Sequence, residues 1–367
     1  MASRGARVPV ETVSAAAFTV PTDRPESDGT FAWDRTTLVL ARVRGGGVEG
    51  LGYTYADAAA AALIAGPLAR AVLGEDALAT AAAWAAMSRA LRNLGRPGLG
   101  AEALSAVDVA LWDLKAKLLG VSLATLLGPA RTSAPIYGSG GFTSYDDAAL
   151  VAQLVGWVEQ GISMVKMKVG RDPARDLHRV EVARAAIGAD VELFVDANGA
   201  WTRKQALAQL RAFSQFDVRW AEEPVVASDL AGLRLVRDRA PAGIDITGGE
   251  YGYLLADFRR ILAADCLDVL MADGTRCGGV TGLLAVAALA EAHDIPLSTH
   301  CAPQLHAHVG VALRPLRHVE YFHDHARIER LLFDGALDQT GGSLTPDPSR
   351  AGLGLELRES DAARFAA

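Results

Sequence analysis

The sequence predicts an α/β protein in which a closed barrel of parallel strands follows a smaller α+β domain. Three observations carry this. From Ala134 onward, short apolar strands alternate with helical stretches, the pattern of repeated βαβ units. Eight such strands fall within about 190 residues, which suits a barrel better than an open sheet. Before Ala134 the pattern differs, with β-branched segments first and a long Ala/Leu-rich helical region after them.

The front domain opens with strands at 13–20 and 36–44, separated by a polar, proline-containing stretch, Pro21–Asp34, that reads as a long loop. Gly45-Gly46-Gly47 supplies a turn into a third strand, 48–55. Residues 56–128 have helical spacing, with breaks at Gly66-Pro67 and Gly95-Arg96-Pro97-Gly98. Leu127-Gly128-Pro129 ends the last helix. The barrel strands are expected at 134–138, 163–169, 191–196, 218–221, 244–247, 268–271, 296–299 and 317–321, with helices such as 145–160, 173–187, 202–214 and 281–293 between them. The expected division is therefore 1–130 for the front domain and 131–344 for the barrel. The Gly/Pro-rich tail, 345–367, is expected to fold back on the front domain with a short strand near Leu353–Leu357.

The chain of 367 residues is 50% hydrophobic and 22% charged, enough to bury a sizeable core and too apolar to be disordered. A net charge of -7 argues against a nucleic-acid or membrane-surface partner. An anionic substrate then needs a local positive site. Cys266, Cys277 and Cys301 lack metal-ligand spacing and read as reduced thiols of a cytoplasmic protein. Met1–Val20 has no signal-peptide layout, and the run Ala58–Ala69 is too short to span a bilayer. The Ala/Leu-rich front domain and apolar barrel helices favour a homo-oligomer.

Each barrel strand ends in a polar residue that a buried strand would not choose: Ser139, Lys166 and Lys168, Asp196 and Asn198, Glu222, Glu250, Asp273, His300, Glu320. From Lys168 onward these recur every 20 to 28 residues, one βα step each time. In a closed barrel, strand C-termini ring one mouth, so the residues converge on one site. Asp196, Glu222 and Glu250 come from three neighbouring strands. Taken singly, each could be a surface carboxylate at a loop start. Three together repel unless a cation lies between them, and hard oxygen ligands suit Mg²⁺.

Only five lysines occur in the chain, and Lys166 and Lys168 sit two apart in an apolar run. Period-two alternation points both to one face. On an edge strand they would be a solvated pair. Inside a barrel they must meet anions, and a nearby metal and second cation would make one of them a usable base. Asp273 and His300 end consecutive strands, so the carboxylate can fix the imidazole tautomer and raise its basicity. Cys301, next to His300, is expected to pack on the opposite face.

These residues resemble the enolase superfamily, its mandelate racemase subgroup in particular. The resemblance rests on Ala106–Lys115, Lys166-Met-Lys168, Asp196-Ala-Asn198, Trp220-Ala-Glu-Glu-Pro224, Gly248-Gly-Glu250, Asp273–Thr281, Ser298-Thr-His300 and Val319-Glu-Tyr321, together with the tail from Pro346 to Leu357, and it covers nearly the whole chain. It implies a (β/α)₇β modified TIM barrel under an α+β capping domain. It implies one Mg²⁺ per subunit on Asp196, Glu222 and Glu250, with Glu223 a neighbour and not a ligand. Lys168 and the His300–Asp273 pair would be the acid/base groups. Lys166 and Ser139 would bind a substrate carboxylate, Asn198 a substrate hydroxyl, and Glu320 would hydrogen-bond a developing enediolate.

Sister subgroups, the cycloisomerases and dipeptide epimerases, carry a lysine base at the sixth strand. Here that strand ends Asp273-Gly-Thr-Arg276, and no lysine follows residue 204. That disfavours those chemistries and leaves dehydration of a polyhydroxy acid, or racemisation or epimerisation of a 2-hydroxy acid. The polar stretch around Arg24, Thr22–Asp28, suits a lid over the distal end of a sugar acid, although many loops are polar. The expected function is a sugar-acid dehydratase acting on an aldonate or aldarate to give a 2-keto-3-deoxy acid. The alternatives are a racemase or epimerase and, from a different class, a non-catalytic sugar-acid-binding protein. If Arg24 is not the specificity residue, the mouth loops near Tyr137 and Tyr251 are the next place to look.

Overall fold

The computed structural model describes residues 7–367. Three antiparallel strands open the chain: β1 (Thr12–Ser27), β2 (Ala32–Gly45) and β3 (Val48–Tyr55). The helix Leu99–Leu118 packs flat on β2 and β3. Two glycines of β3 permit this approach, because a Cβ on Gly50 or Gly52 would sit 2.2 Å from the carbonyl oxygen of Ala110 or Ala106. The same helix ties the front domain to the barrel: the Asp108 carboxylate accepts from the Thr281 N–H (2.9 Å) and hydroxyl (2.7 Å) at the start of the helix Gly279–Ala292. Burial raises the Asp108 carboxyl to about 7.

Two expectations for the front domain change. Pro21–Asp34 is no loop. The β1–β2 pairing runs on through it to Ser27↔Ala32, with one bulge between Pro21 and Glu26. Polarity concealed the strand, because on a hairpin that leaves the sheet one face meets solvent. Gly66-Pro67 does not break its helix either. The chain passes through one wide π turn, Ile64–Leu68, which tolerates the missing proline N–H.

The barrel has eight parallel strands: β4 (Ala134–Gly140), β5 (Met164–Lys168), β6 (Glu192–Asp196), β7 (Val218–Glu222), β8 (Asp245–Gly248), β9 (Val269–Ala272), β10 (Leu297–Thr299) and β11 (Leu316–Phe322). They pair in sequence order, and β11 pairs with β4 to close the ring. A helix fills each crossover, and the helix His323–Leu332 follows β11. The tail pairs Glu356–Leu357 with Phe333–Asp334, then runs along the front domain, where the Ala367 N–H reaches the Ala17 carbonyl.

Inside the barrel the side chains form two levels. The lower holds a buried aromatic cluster of Tyr137, Phe194 and Trp220 with Met271 and His318. Phe194 and Trp220 stack at 5.3 Å, and Tyr137 meets His318 edge-on at 4.7 Å. Two residues further along the same strands come Ser139, Asp196, Glu222, Asp273 and Glu320. Period two places the second set directly above the first, at the C-terminal mouth.

Candidate active site

Strand register sets which groups meet at the mouth. Lys168 lies beside Asp196, and Asp196 beside Glu222, while the stagger of the ring puts Lys166 beside Ser139. The Lys168 ammonium donates to Asp196 Oδ2 at 2.5 Å. The Lys166 ammonium, fully buried, bridges Glu222 Oε2 at 2.5 Å and Glu320 Oε1 at 2.7 Å. Both lysines point inward and meet anions, as the apolar flanks of their strand require. Burial alone would lower both ammonium groups. For Lys166, Glu222 and Glu320 outweigh it; for Lys168, Asp196 does, so both stay above the usual lysine range.

Asp196, Glu222 and Glu250 are buried, and one oxygen from each lies within 4.8 Å of the others. Glu222 Oε1 and Glu250 Oε2 have no hydrogen-bond partner. Burial and the adjacent Asp196 charge raise the Glu222 carboxyl well above its ordinary value. Six carboxylates (Asp196, Glu222, Glu223, Glu250, Asp273 and Glu320) share this space with two lysines and Arg276. Bare buried oxygens and excess negative charge are the signature of a cation site, and an all-oxygen donor set matches a hard divalent ion.

Across the mouth, Asp273 Oδ2 lies 2.8 Å from His300 Nδ1. Its other oxygen accepts from the Thr275 N–H and hydroxyl, both at 2.7 Å. Asp273 is thereby held ionised: burial would raise it, but the hydrogen bond and charge of His300 hold it below the carboxylate range. The arrangement orients His300 Nε2 toward the mouth, 3.3 Å from Glu250 Oε2.

Not every site residue sits as expected. Ser139 is fully buried and donates to Glu320 Oε1 at 2.6 Å, so its hydroxyl is already engaged. Glu320 accepts at both oxygens, from Ser139 and Lys166 on one and from the Cys301 N–H (2.8 Å) on the other. Burial would protonate Glu320, but Lys166 and His300 hold it well below its usual range. Asn198 is half-buried with φ 45°, and its Oδ1 is unpartnered. Arg24 is exposed on the outer hairpin over the Tyr145 ring, 5.9 Å from its centroid. Tyr137 is not a mouth residue, since it lies fully buried in the lower level. Tyr251 is half-exposed and, with Thr30, Asn198, Glu223 and Arg260, lines a cavity of about 690 Å³ beside the mouth.

Two neighbours of the site had no expected role. The Arg276 Nη1 donates to the Glu250 carbonyl at 3.1 Å, and its Nε lies 3.6 Å from Asp273 Oδ2, so it braces two site residues. Its position three residues after Asp273 was the available signal. The Cys301 thiol packs among Phe142 and Phe322, yet its Sγ is 3.2 Å from His300 Nε2. Strand alternation ends at Thr299, and positive φ at Cys301 and Ala302 turns the thiol back toward the ring.

The hairpin of β1 and β2 reaches over this mouth. Ser27 Oγ meets Thr143 Oγ1 at 2.6 Å, Ser144 donates to the Pro25 carbonyl at 2.8 Å, and the Thr30 hydroxyl reaches the Asn198 carbonyl at 3.4 Å. Glu26 is buried there next to Asp324, with Trp33 Nε1 donating to its Oε2 at 3.0 Å. Burial and the Asp324 charge raise the Glu26 carboxyl to about 9. Among the described residues, no helix is long and apolar enough to cross a membrane.

Comparison with known proteins agrees with this architecture. Residues 12–128 match the mandelate racemase/muconate lactonizing enzyme N-terminal domain model, and 149–361 the enolase C-terminal domain-like model. The chain is 35% identical to a 3,6-anhydro-alpha-L-galactonate cycloisomerase of Streptomyces coelicolor, over 87% of this chain and 89% of that one. It is 32% identical to the L-talarate/galactarate dehydratase of Salmonella typhimurium, over 95% and 89%. Among solved structures, a mandelate racemase/muconate lactonizing enzyme-like protein of Rubrobacter xylanophilus is 55% identical with a TM-score of 0.96, covering 98% of this chain and all of that one. An L-talarate dehydratase of a Polaromonas species, complexed with Mg and L-glucarate, is 32% identical with a TM-score of 0.88 and covers 98% of each chain. Sugar-acid dehydratases and cycloisomerases thus both stand among the relatives of this chain.

Proposed function

The chain belongs to the mandelate racemase/muconate lactonizing enzyme family of the enolase superfamily, and from that premise we propose that it is a Mg²⁺-dependent dehydratase of an aldonate or aldarate. The observation that carries this reading is the Asp196–Glu222–Glu250 oxygen cluster, with Lys168 on one side and the Asp273–His300 pair on the other. Relatives named as dehydratases of sugar acids, and solved relatives holding Mg, support it.

The α-proton of a carboxylate is a very weak acid, so the site must oppose the charge that builds on the carboxylate oxygens as the proton leaves. A Mg²⁺ held by Asp196, Glu222 and Glu250 would supply electrophilic stabilisation of that charge and would draw on the Asp196 carboxylate that otherwise pairs with Lys168. Lys166 adds a fixed positive charge and a hydrogen-bond donor. Glu320, anchored by Ser139 and the Cys301 N–H, holds Lys166 in place. These cations also solve the approach of an anionic substrate to a chain of net charge -7.

Lys168 removes the α-proton of one configuration and His300 that of the other, since they stand on β5 and just past β10, three strands apart round the ring. In either case the imidazolium of His300 gives its proton to the β-hydroxyl, which leaves as water. The enol that remains tautomerises to the 2-keto-3-deoxy acid. Asn198 would take a substrate hydroxyl, a role its unpartnered Oδ1 supports. The cavity beside it, partly closed by Thr30 of the hairpin, gives room for the distal carbons.

The test is a panel of aldonates, aldarates and their lactones and anhydro acids, followed by NMR in D₂O. A 2-keto-3-deoxy product supports the dehydratase. α-Deuteration without loss of water would make the protein a racemase or epimerase, and a rearranged isomer of unchanged composition a cycloisomerase. No change with any acid would favour a binding protein.

A further inference from the structure

We propose that His300 Nε2, the Cys301 thiol and a Glu320 carboxylate oxygen form a second cation site, selective for a thiophilic ion such as Zn²⁺ or Cd²⁺, whose occupation shuts down the acid/base imidazole. One donor atom from each of the three residues lies within 4.8 Å of the other two, and all three residues are buried. His300 Nε2 lies 3.2 Å from the thiol and 4.0 Å from Glu320 Oε2. Mixed nitrogen, sulfur and oxygen donors at such separations suit tetrahedral Zn²⁺, whereas the neighbouring oxygen-only cluster suits a harder ion. The two sites therefore sort cations by softness within one pocket.

Three features bear on the assignment. His300 offers Nε2 because Nδ1 is held by Asp273 at 2.8 Å, the carboxylate–imidazole support that metal-bound histidines carry. Glu250 Oε2, an oxygen of the neighbouring oxygen-only site, is buried without a hydrogen-bond partner 3.3 Å from the same Nε2, so the two sites adjoin. The other cysteines, Cys266 and Cys277, are buried but belong to no such donor group among the described residues. An ion bound here would take the lone pair that His300 uses for proton transfer.

The experiment titrates Cd²⁺ into the full-length protein with Mg²⁺ saturating and no substrate present. An ultraviolet thiolate-to-Cd²⁺ charge-transfer band that rises to one ion per chain is expected, and Zn²⁺ should quench it by competition. Cys301→Ser should abolish the band and lose about tenfold or more in Cd²⁺ affinity. Cys266→Ala and Cys277→Ala should keep the band. His300→Asn should weaken Cd²⁺ binding by a similar factor, measured calorimetrically. A band that persists in Cys301→Ser, or Cd²⁺ binding without a band and reversed by added Mg²⁺, would overturn the proposal. The spectroscopic readout needs no substrate, so its failure is distinct from failure of the dehydratase reading, which only the product assay decides.

Discussion

The lower and upper levels of the barrel interior are built by the same strands, two residues apart, and solve opposite problems. Phe194 and Trp220 fill space and gain from burial and stacking. Asp196 and Glu222, directly above them, lose water without gaining enough partners, which leaves Glu222 Oε1 bare and its carboxyl pushed upward. The lower level is a packed floor that touches the upper one where the Trp220 indole N–H donates to Glu222 Oε2 at 3.3 Å. The upper level is tolerable because the floor fixes each strand end and because a cation and an anionic substrate can supply what the protein withholds. The lesson is that burial as such is neutral in meaning: partnered apolar burial marks structure, and unpartnered charged burial marks the site.

This contrast can be broken most sharply at Lys168 and His300. Lys168→Ala and His300→Asn should each lower kcat about 10²–10⁴-fold while the melting temperature stays close to that of the parent, and one variant should still exchange the α-proton with solvent. If both turn over at the parental rate, the upper level is not the reactive one. The floor should answer in the opposite way. Trp220→Ala is expected to cost about 3–5 kcal/mol of stability, read in denaturant melts, because it leaves a cavity between Phe194 and His318. A variant that keeps its stability but loses turnover would show that the floor takes part in chemistry.

Metal removal sharpens the comparison further. Chelation should abolish activity, and Mg²⁺ restored at a hundred times its dissociation constant should add about 2.7 kcal/mol to stability. Glu250→Gln should lose most of that gain, whereas floor variants that do not touch Glu222 should keep it. Next in size comes the hairpin. Arg24→Ala should raise KM about tenfold for the true substrate with metal affinity unchanged, the loss of one charged hydrogen bond. Unchanged kinetics would assign distal recognition to the cavity lined by Tyr251 and Arg260.

The smallest effect is expected at Glu26. Its carboxyl is raised in the folded protein to about 9 from an ordinary 4.5, so the folded state holds a proton that the unfolded chain releases. Its contribution is complete below about pH 4.5 and is lost as pH rises toward about 9. Glu26→Gln keeps the group neutral and should raise the melting temperature at pH 8.5 and not at pH 4.5. Equal shifts at both pH values would mean that Glu26 is ionised in the folded protein.

Period-two alternation and βα spacing are local properties, so the sequence by itself determined the strands, their inward faces and the convergence of Lys168, Asp196, Glu222, Glu250, Asp273 and His300 on one mouth. Those inferences need only that each strand is short, buried and followed by a helix. Tertiary structure decided what depends on the stagger of the ring and on single backbone dihedrals. The stagger gives Lys166 to Glu222 and Glu320, engages Ser139 with Glu320, and sinks Tyr137 into the floor. Positive φ at Cys301 and Ala302 turns a thiol expected on the far face toward His300. The hairpin through Pro21–Asp34 is a strand only because β2 pairs with it and the barrel supports its tip. Some of these contacts, Ser139 with Glu320 and Ser27 with Thr143 among them, join residues more than a hundred positions apart, and no spacing along the chain records them.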